Sequence, residues 1–267
     1  MLGLSFVQLR RLALALAAAL ACQPDAYASP AADPQRPHLR RWVAERGDDA
    51  LSGPARERRA LIHKGVEVAE LLHAAGVEGP PKQLHFRVFK QEKELEVWAS
   101  GDASGPLSLV ATYEICATSG QLGPKLRQGD GQVPEGFYEI DFFKPRSDYY
   151  LAMRINYPNA RDRAIGATGS AIMIHGRCAS IGCLAMTDPR IEELWVFARA
   201  LAKGRVHVHI FPQRDLAPLL EVTTDAALHA FWSDLDAGKR AFEADRQLPR
   251  VRWDRHGRYL FDAAIAP

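Results

Sequence analysis

"IMIHGRCASIGCLAM", residues 172–186, sets one histidine and two cysteines within nine positions of a 267-residue chain that has four cysteines in all. Three chemistries suit these residue types. As a metal site, His175, Cys178 and Cys183 supply three soft ligands. Structural zinc favours paired C-x2-C knuckles, however, and only Cys116 remains as a nearby further thiol. As a disulfide, Cys178 closes either a very small loop with Cys183 or a long one with Cys116. The second pairing leaves Cys183 free, but the residues alone favour no disulfide at all. As a nucleophile with its base, an imidazole beside a thiol lowers the thiol pKa and later returns a proton to a leaving amine. His175 ends an apolar strand that begins at Ala171, and Gly182 lets the backbone aim N–H groups at a developing oxyanion. One looped-back turn brings base and nucleophile together, and this third chemistry is the favoured one.

The amino terminus bears on the same question. Arg10 and Arg11 precede an apolar run from Leu12 to Cys22, and Ala26-Tyr27-Ala28 offers small residues for a signal peptidase. Eleven residues are too few for the roughly 20 that span a bilayer. Residues 1–28 are therefore expected to be a cleaved secretory signal and the protein to be periplasmic, with lipidation at Cys22 the lesser alternative. Cleavage leaves Cys116, Cys178 and Cys183, an odd number in an oxidising compartment, so at least one thiol stays unpaired within the monomer. The net charge of +2 says little about partners and argues against a dedicated nucleic-acid binder.

Working outward, residues 29–82 read as a basic linker followed by a helix, with Leu61, Val68, Leu71 and Leu72 at helical spacing and a stop at Gly76. From Leu84 the period changes to 2: Leu84, Phe86, Val88 and then Leu95, Val97, Ala99 alternate around a polar Lys90–Lys93 turn, a hairpin pattern. LSLVATYEIC, FYEIDFF, YYLAMRINY and AIMIH are further strand candidates. GPKLRQGDGQVPEGFYEI is a long glycine-rich loop feeding a strand near Phe137. It matches neither phosphate-binding fingerprint and is expected to line substrate or to be structural. Beyond Cys183, Asp188 and Pro189 open a helix whose apolar stripe is Ile191, Leu194, Trp195, Ala198 and Leu201, closed by Lys203-Gly204. RVHVHIFP follows as a strand, with His207 and His209 on one face. Residues 213–267 are expected to form a helical extension, in segments near 213–220 and 224–244, with Trp253, Tyr259 and Phe261 packing back on the body.

His175-Gly176 followed by Ser180-Ile181-Gly182-Cys183 resembles the signature of the L,D-transpeptidases of the YkuD type, where a histidine-glycine strand end precedes an S-x-G-C nucleophile turn. The likeness is closest to the YafK branch. It runs through TYEICATSGQLGPKLRQGDGQVPEGFYEI, NYPNARDRAIGATGSAIMIHG, CASIGCLAMTDPRIEELW and VHIFP, within a catalytic domain assigned to residues 83–212. The resemblance implies an α+β, β-rich fold with a sandwich-like catalytic body, flanking helices and the C-terminal extension. It implies Cys183 as nucleophile, His175 as general base and acid, and the Gly176 carbonyl as the group that orients the imidazole. The N–H groups of Gly182 and Cys183 would then form the oxyanion hole, with Ser180 shaping the turn or touching substrate. Many members carry Arg or Asn two residues after the cysteine, where this chain has Ala185 as the YafK branch does.

The chemistry so implied needs no metal and no organic cofactor. Cys183 attacks the carbonyl of the L-centre of meso-diaminopimelate in a peptidoglycan stem peptide and forms a thioester. Transfer to an amine gives a crosslink and transfer to water a hydrolase. The YafK branch further implies detachment of a wall-anchored outer-membrane lipoprotein. The alternative is a non-catalytic envelope or peptidoglycan-binding module, distinguished by labelling of Cys183 that needs denaturation.

Overall fold

The protein is described by a computed structural model over residues 55–200 and 204–261. The signal segment, Cys22, the basic residues before Ala55, Leu201 and Lys203 lie outside the described residues. Among the described residues no helix is long and apolar enough to cross a membrane.

Helix α1 spans Ala55–Ala74. Val68 and Leu72 are buried as their spacing predicts, and Leu61 and Leu71 are partly so. Gly76, at φ +78°, takes a left-handed conformation natural to glycine, which lets Val77 N–H return to Leu72 O at 2.9 Å. The hairpin forms β1 (Gln83–Phe89) and β2 (Glu94–Ser100), paired antiparallel from Gln83↔Ser100 to Phe89↔Glu94. Then come β3 (Ser108–Glu114), β4 (Gly136–Ser147), β5 (Tyr150–Ile155), the short α2 (Ala160–Ala164), β6 (Met173–His175) and β7 (Leu184–Ala185). α3 is Asp188–Ala200 and β8 is His207–Phe211; α4 (Ala217–Val222), α5 (Ala226–Asp245), β9 (Val251–Trp253) and β10 (Tyr259–Phe261) complete the chain.

Eight strands form one mixed sheet in the order β3-β2-β1-β8-β4-β5-β6-β7, so the expected α+β body is one continuous ladder with helices against it. Alternation along the strands divides the apolar residues between two faces. Phe86, Val88, Val97, Ile140, Met153 and Ile210 join α1 and α3 in the main core, where Trp195 and Phe197 are almost fully enclosed. Each such side chain contributes roughly 1.5–3 kcal/mol by leaving water. On the opposite face Phe89, Phe137 and Phe211 meet Leu216, Phe231, Trp232, Leu235 and Tyr259 from the C-terminal segment. That segment is therefore the second cover of the sheet, and it includes the β9–β10 ribbon in addition to the expected helices. Tyr259 packs back edge-on against Phe137 at 4.9 Å between ring centres.

The cysteines correct one expectation. Cys116 and Cys178 are joined in a disulfide with their Cα atoms 5.3 Å apart, and Cys183 is left free. The residues alone favoured no disulfide because the fold that brings positions 62 apart into contact is not legible locally. An antiparallel bridge between Ala117 and Ala185 supplies that proximity.

Candidate active site

The sheet sets the histidine and the cysteine at neighbouring strand ends. β6 and β7 pair in parallel, Ile174 with Leu184 and His175 with Ala185. Ile174 and Leu184 point into the main core, so His175 and Ala185 face the other way. Cys183, one residue before β7 and two before Ala185, shares the register row of Met173 and falls on the His175 side. The seven-residue connection that the sequence suggested is thus a β6–turn–β7 unit.

His175 is almost fully buried, and its Nδ1 lies 2.7 Å from the Gly176 carbonyl. Since a carbonyl only accepts, Nδ1 carries the proton, which leaves Nε2 as the basic nitrogen. The half-exposed Tyr149 ring lies on the imidazole at 4.6 Å, and the Tyr149 carbonyl accepts Gly176 N–H at 3.0 Å. No side chain fits at Gly176: a Cβ there would stand 2.5 Å from Asp188 Oδ1 and 3.1 Å from Tyr149 O. The next two residues, Arg177 and Cys178, have φ of +63° and +39°, values that cost non-glycine residues on the order of 1–3 kcal/mol each. Two restraints hold them there. Asp188 Oδ1 accepts Arg177 N–H at 2.8 Å, and the disulfide fixes Cys178. The sequence assigned Asp188 to helix capping, whereas its carboxylate holds the turn that carries His175-Gly176.

Cys183 is partly buried, its Sγ 3.8 Å from the Ala171 carbonyl. Burial pushes its thiol upward in pKa, against weaker opposing effects from the Met173 backbone and the Lys125 ammonium. This reverses the direction expected from a neighbouring imidazole. Burial also lowers His175, outweighing its bond to the Gly176 carbonyl. The resting pair is accordingly a neutral thiol and a neutral imidazole, not a thiolate–imidazolium ion pair.

Both N–H groups assigned to the oxyanion are engaged by serine hydroxyls. Gly182 N–H donates to Ser119 Oγ at 2.5 Å and Cys183 N–H to Ser180 Oγ at 3.0 Å. Ser180 Oγ donates in turn to the Cys183 carbonyl at 2.7 Å, so Ser180 shapes the turn.

The glycine-rich loop packs against this turn: a Cβ on Gly182 would lie 3.3 Å from Gln132 O. The loop is organised around Lys90, which the sequence placed in a polar hairpin turn. Lys90 Nζ is buried and donates to the carbonyls of Gln121 (2.9 Å), Gly123 (3.1 Å) and Val133 (3.0 Å) and to Glu135 Oε1 (2.9 Å). Glu135 also accepts Gly123 N–H at 2.7 Å and the Trp232 indole N–H at 2.8 Å. Asp130, pushed up by burial but held down by Lys125 and three backbone N–H groups, has its pKa lowered to about 2. Ser119, Lys90 and Tyr149 carry no local signature in the sequence, since their partners lie far along the chain.

A metal reading of His175, Cys178 and Cys183 fails on chemistry, because Cys178 is spent in the disulfide. His207 and His209 lie on one face as the alternation predicts, with the His209 ring tilted against that of His85 at 4.2 Å between centres. Among the described residues no group of three or more His, Cys, Asp or Glu side chains is placed to hold a metal.

A free thiol and a buried imidazole on one face of a mixed sheet, steadied by a histidine-glycine turn, define a cysteine–histidine protein of the α+β class. The chain belongs to the YkuD family, whose L,D-transpeptidase catalytic domain model matches residues 85–209. It is 40% identical over 188 residues to YafK of Escherichia coli (strain K12), a protein whose name assigns it to the L,D-transpeptidases; the match covers 68% of this chain and 75% of that one. The YafK of Escherichia coli O157:H7 matches to the same extent. Among solved structures, the helical cell shape determining protein Pgp2 (K307A mutant) of Campylobacter jejuni aligns at 23% identity and a TM-score of 0.43, covering 71% of this chain and 66% of that one. Bd1075 of Bdellovibrio bacteriovorus aligns at 18% identity and a TM-score of 0.40, covering 65% and 78%.

Proposed function

We propose that this protein is a cysteine acyltransferase or hydrolase acting on peptidoglycan stem peptides at the L-centre of meso-diaminopimelate. The observation that carries this reading is the His175 tautomer. With Nδ1 bound to the Gly176 carbonyl at 2.7 Å, Nε2 is free to take the Cys183 proton as sulfur attacks. Family membership supports the substrate class.

The steps follow from a neutral pair. Sγ adds to the acyl carbon while Nε2 removes the thiol proton. The tetrahedral oxyanion collapses to a thioester, and the imidazolium returns its proton to the departing amine. An incoming amine or water then adds to the thioester with Nε2 again accepting the proton, and Cys183 is regenerated. Ser180 maintains the turn and Gly182 its close approach to the loop. An amine acceptor gives a crosslink, whereas water gives a shortened stem or releases a lipoprotein joined through diaminopimelate. The N-terminal signal supports export, and we assign the enzyme to the periplasm.

Mass spectrometry of muropeptides incubated with the protein and with Cys183→Ala tests the proposal. New diaminopimelate–diaminopimelate crosslinks indicate a transpeptidase, freed lipoprotein-derived peptide an amidase, and shortened stems alone a carboxypeptidase. Product patterns identical for the two proteins would refute the assignment.

A further inference from the structure

Ser119 bridges the two segments that meet at the nucleophile. Its Oγ accepts Gly182 N–H at 2.5 Å and donates to the Gly131 carbonyl at 2.8 Å. The same hydroxyl therefore ties the residue before Cys183 to the glycine-rich loop. Gly182 has φ +95°, a conformation that L side chains rarely adopt, and a Cβ there would press on Gln132 O, so the turn has no side chain of its own with which to grip the loop. The loop beneath is already fixed: Gln132 Oε1 accepts Gln121 N–H at 2.8 Å and Asp130 Oδ1 accepts Gln132 N–H at 3.1 Å. Behind Ser119 the chain is tethered by the Cys116–Cys178 disulfide and the Ala117–Ala185 bridge. A rigid support thus ends in one hydroxyl that sets the tilt of the Ile181–Gly182 peptide, one link before the residue that carries the thiol.

We propose that Ser119 is a positioning residue for acyl transfer, its hydroxyl fixing the Ile181–Gly182 peptide and, through it, the placement of Cys183, so that Sγ meets an acyl carbon in line with His175. The proposal rests on the nucleophile reading of Cys183 and extends it to a residue that contacts neither the thiol nor the imidazole. A chain lacking this bond keeps its thiol but holds it at a less defined angle. Acyl transfer, which passes through a tetrahedral intermediate, suffers from the misalignment. Simple alkylation, which has no oxyanion, does not.

The test uses the full mature chain and two small probes, so it does not depend on the natural substrate. p-Nitrophenyl acetate acylates Cys183, followed by the nitrophenolate burst and intact mass; iodoacetamide alkylates the same thiol at the same pH. Ser119→Ala should slow the burst roughly tenfold, the scale of one lost hydrogen bond, with the alkylation rate within twofold of the parent. Ser119→Thr, which keeps the hydroxyl, should restore most of the burst. An unchanged burst in Ser119→Ala, or equal slowing of both reactions, overturns the proposal. So does a thermal midpoint that falls in both variants without rescue by threonine, since Ser119 would then be scaffold alone. If Cys183→Ala shows the same burst as the parent, the nucleophile assignment itself fails, an outcome distinct from the others.

Discussion

Burial moves the two reacting groups in opposite directions, lifting the Cys183 thiol and lowering the His175 imidazolium. The base must be neutral to work, so kcat/KM should rise with pH along an acid limb whose midpoint lies below 6.5. Iodoacetamide alkylation of Cys183 should still be climbing at pH 9, since the thiolate is disfavoured. A midpoint above 6.5 would contradict the neutral resting pair. Gly176 is the other residue whose environment makes a sharp prediction. Gly176→Ala forces a methyl against Asp188 and the Tyr149 carbonyl and should cost about 1–3 kcal/mol in urea unfolding. At this scale the sequence was most informative where one residue acts through its own chemistry. The residues themselves singled out His175, Gly182 and Cys183, and the family resemblance added Gly176 and Ser180. Ser119 came from neither, because a serine hydroxyl has many uses and its two partners stand 12 and 63 positions away.

Among the elements, β1–β2, β3, β4, β5 and α3 follow from alternation or helical spacing, although β1 and β2 are buried on both faces. The short β6 and β7 are different. Three and two residues carry little periodic signal, and their parallel pairing is fixed by the core that receives Ile174 and Leu184. The glycine-rich loop was recognised as a loop, but its organising ion pair was not: Lys90 comes from the hairpin turn and Glu135 from just before β4. Trp232 on α5 donates to Glu135, coupling the C-terminal cover to this loop. Trp232→Phe keeps most of the buried ring and removes the donor, so it should destabilise by about 1–3 kcal/mol. Amide exchange should speed up in residues 120–135 more than in α1 if this coupling holds, and a uniform increase would speak against it.

Taken as a whole, the molecule encloses polar groups beneath its C-terminal cover. His85 and His209 are fully enclosed, both ring nitrogens of His85 lack hydrogen-bond partners, and His207 and Arg87 lie near them, Arg87 itself paired with Glu96 and Glu243. Burial first, and then neighbouring charge, hold both histidines well below pH 6.5. A histidine whose folded-state pKa is depressed contributes stability that is complete above its unfolded value and is lost as acid drives protonation. The thermal midpoint should therefore fall steadily below pH 6.5, and His85→Met should flatten that fall. Parallel pH curves for the two proteins would show that the titrating groups lie elsewhere. The C-terminal residues read as an appendage in sequence because their apolar anchors are sparse, yet they close half of the sheet.

The Cys116–Cys178 bond has a consequence for preparing the protein. Among the described residues three cysteines allow three pairwise matches, and only one of them spares the sulfur at position 183. The other two consume it and leave an oxidised molecule that cannot turn over. Material recovered under uncontrolled oxidation should thus contain a dead fraction that a thiol-shuffling buffer brings back, and replacing Cys116 and Cys178 together by serine should remove that fraction while weakening the scaffold.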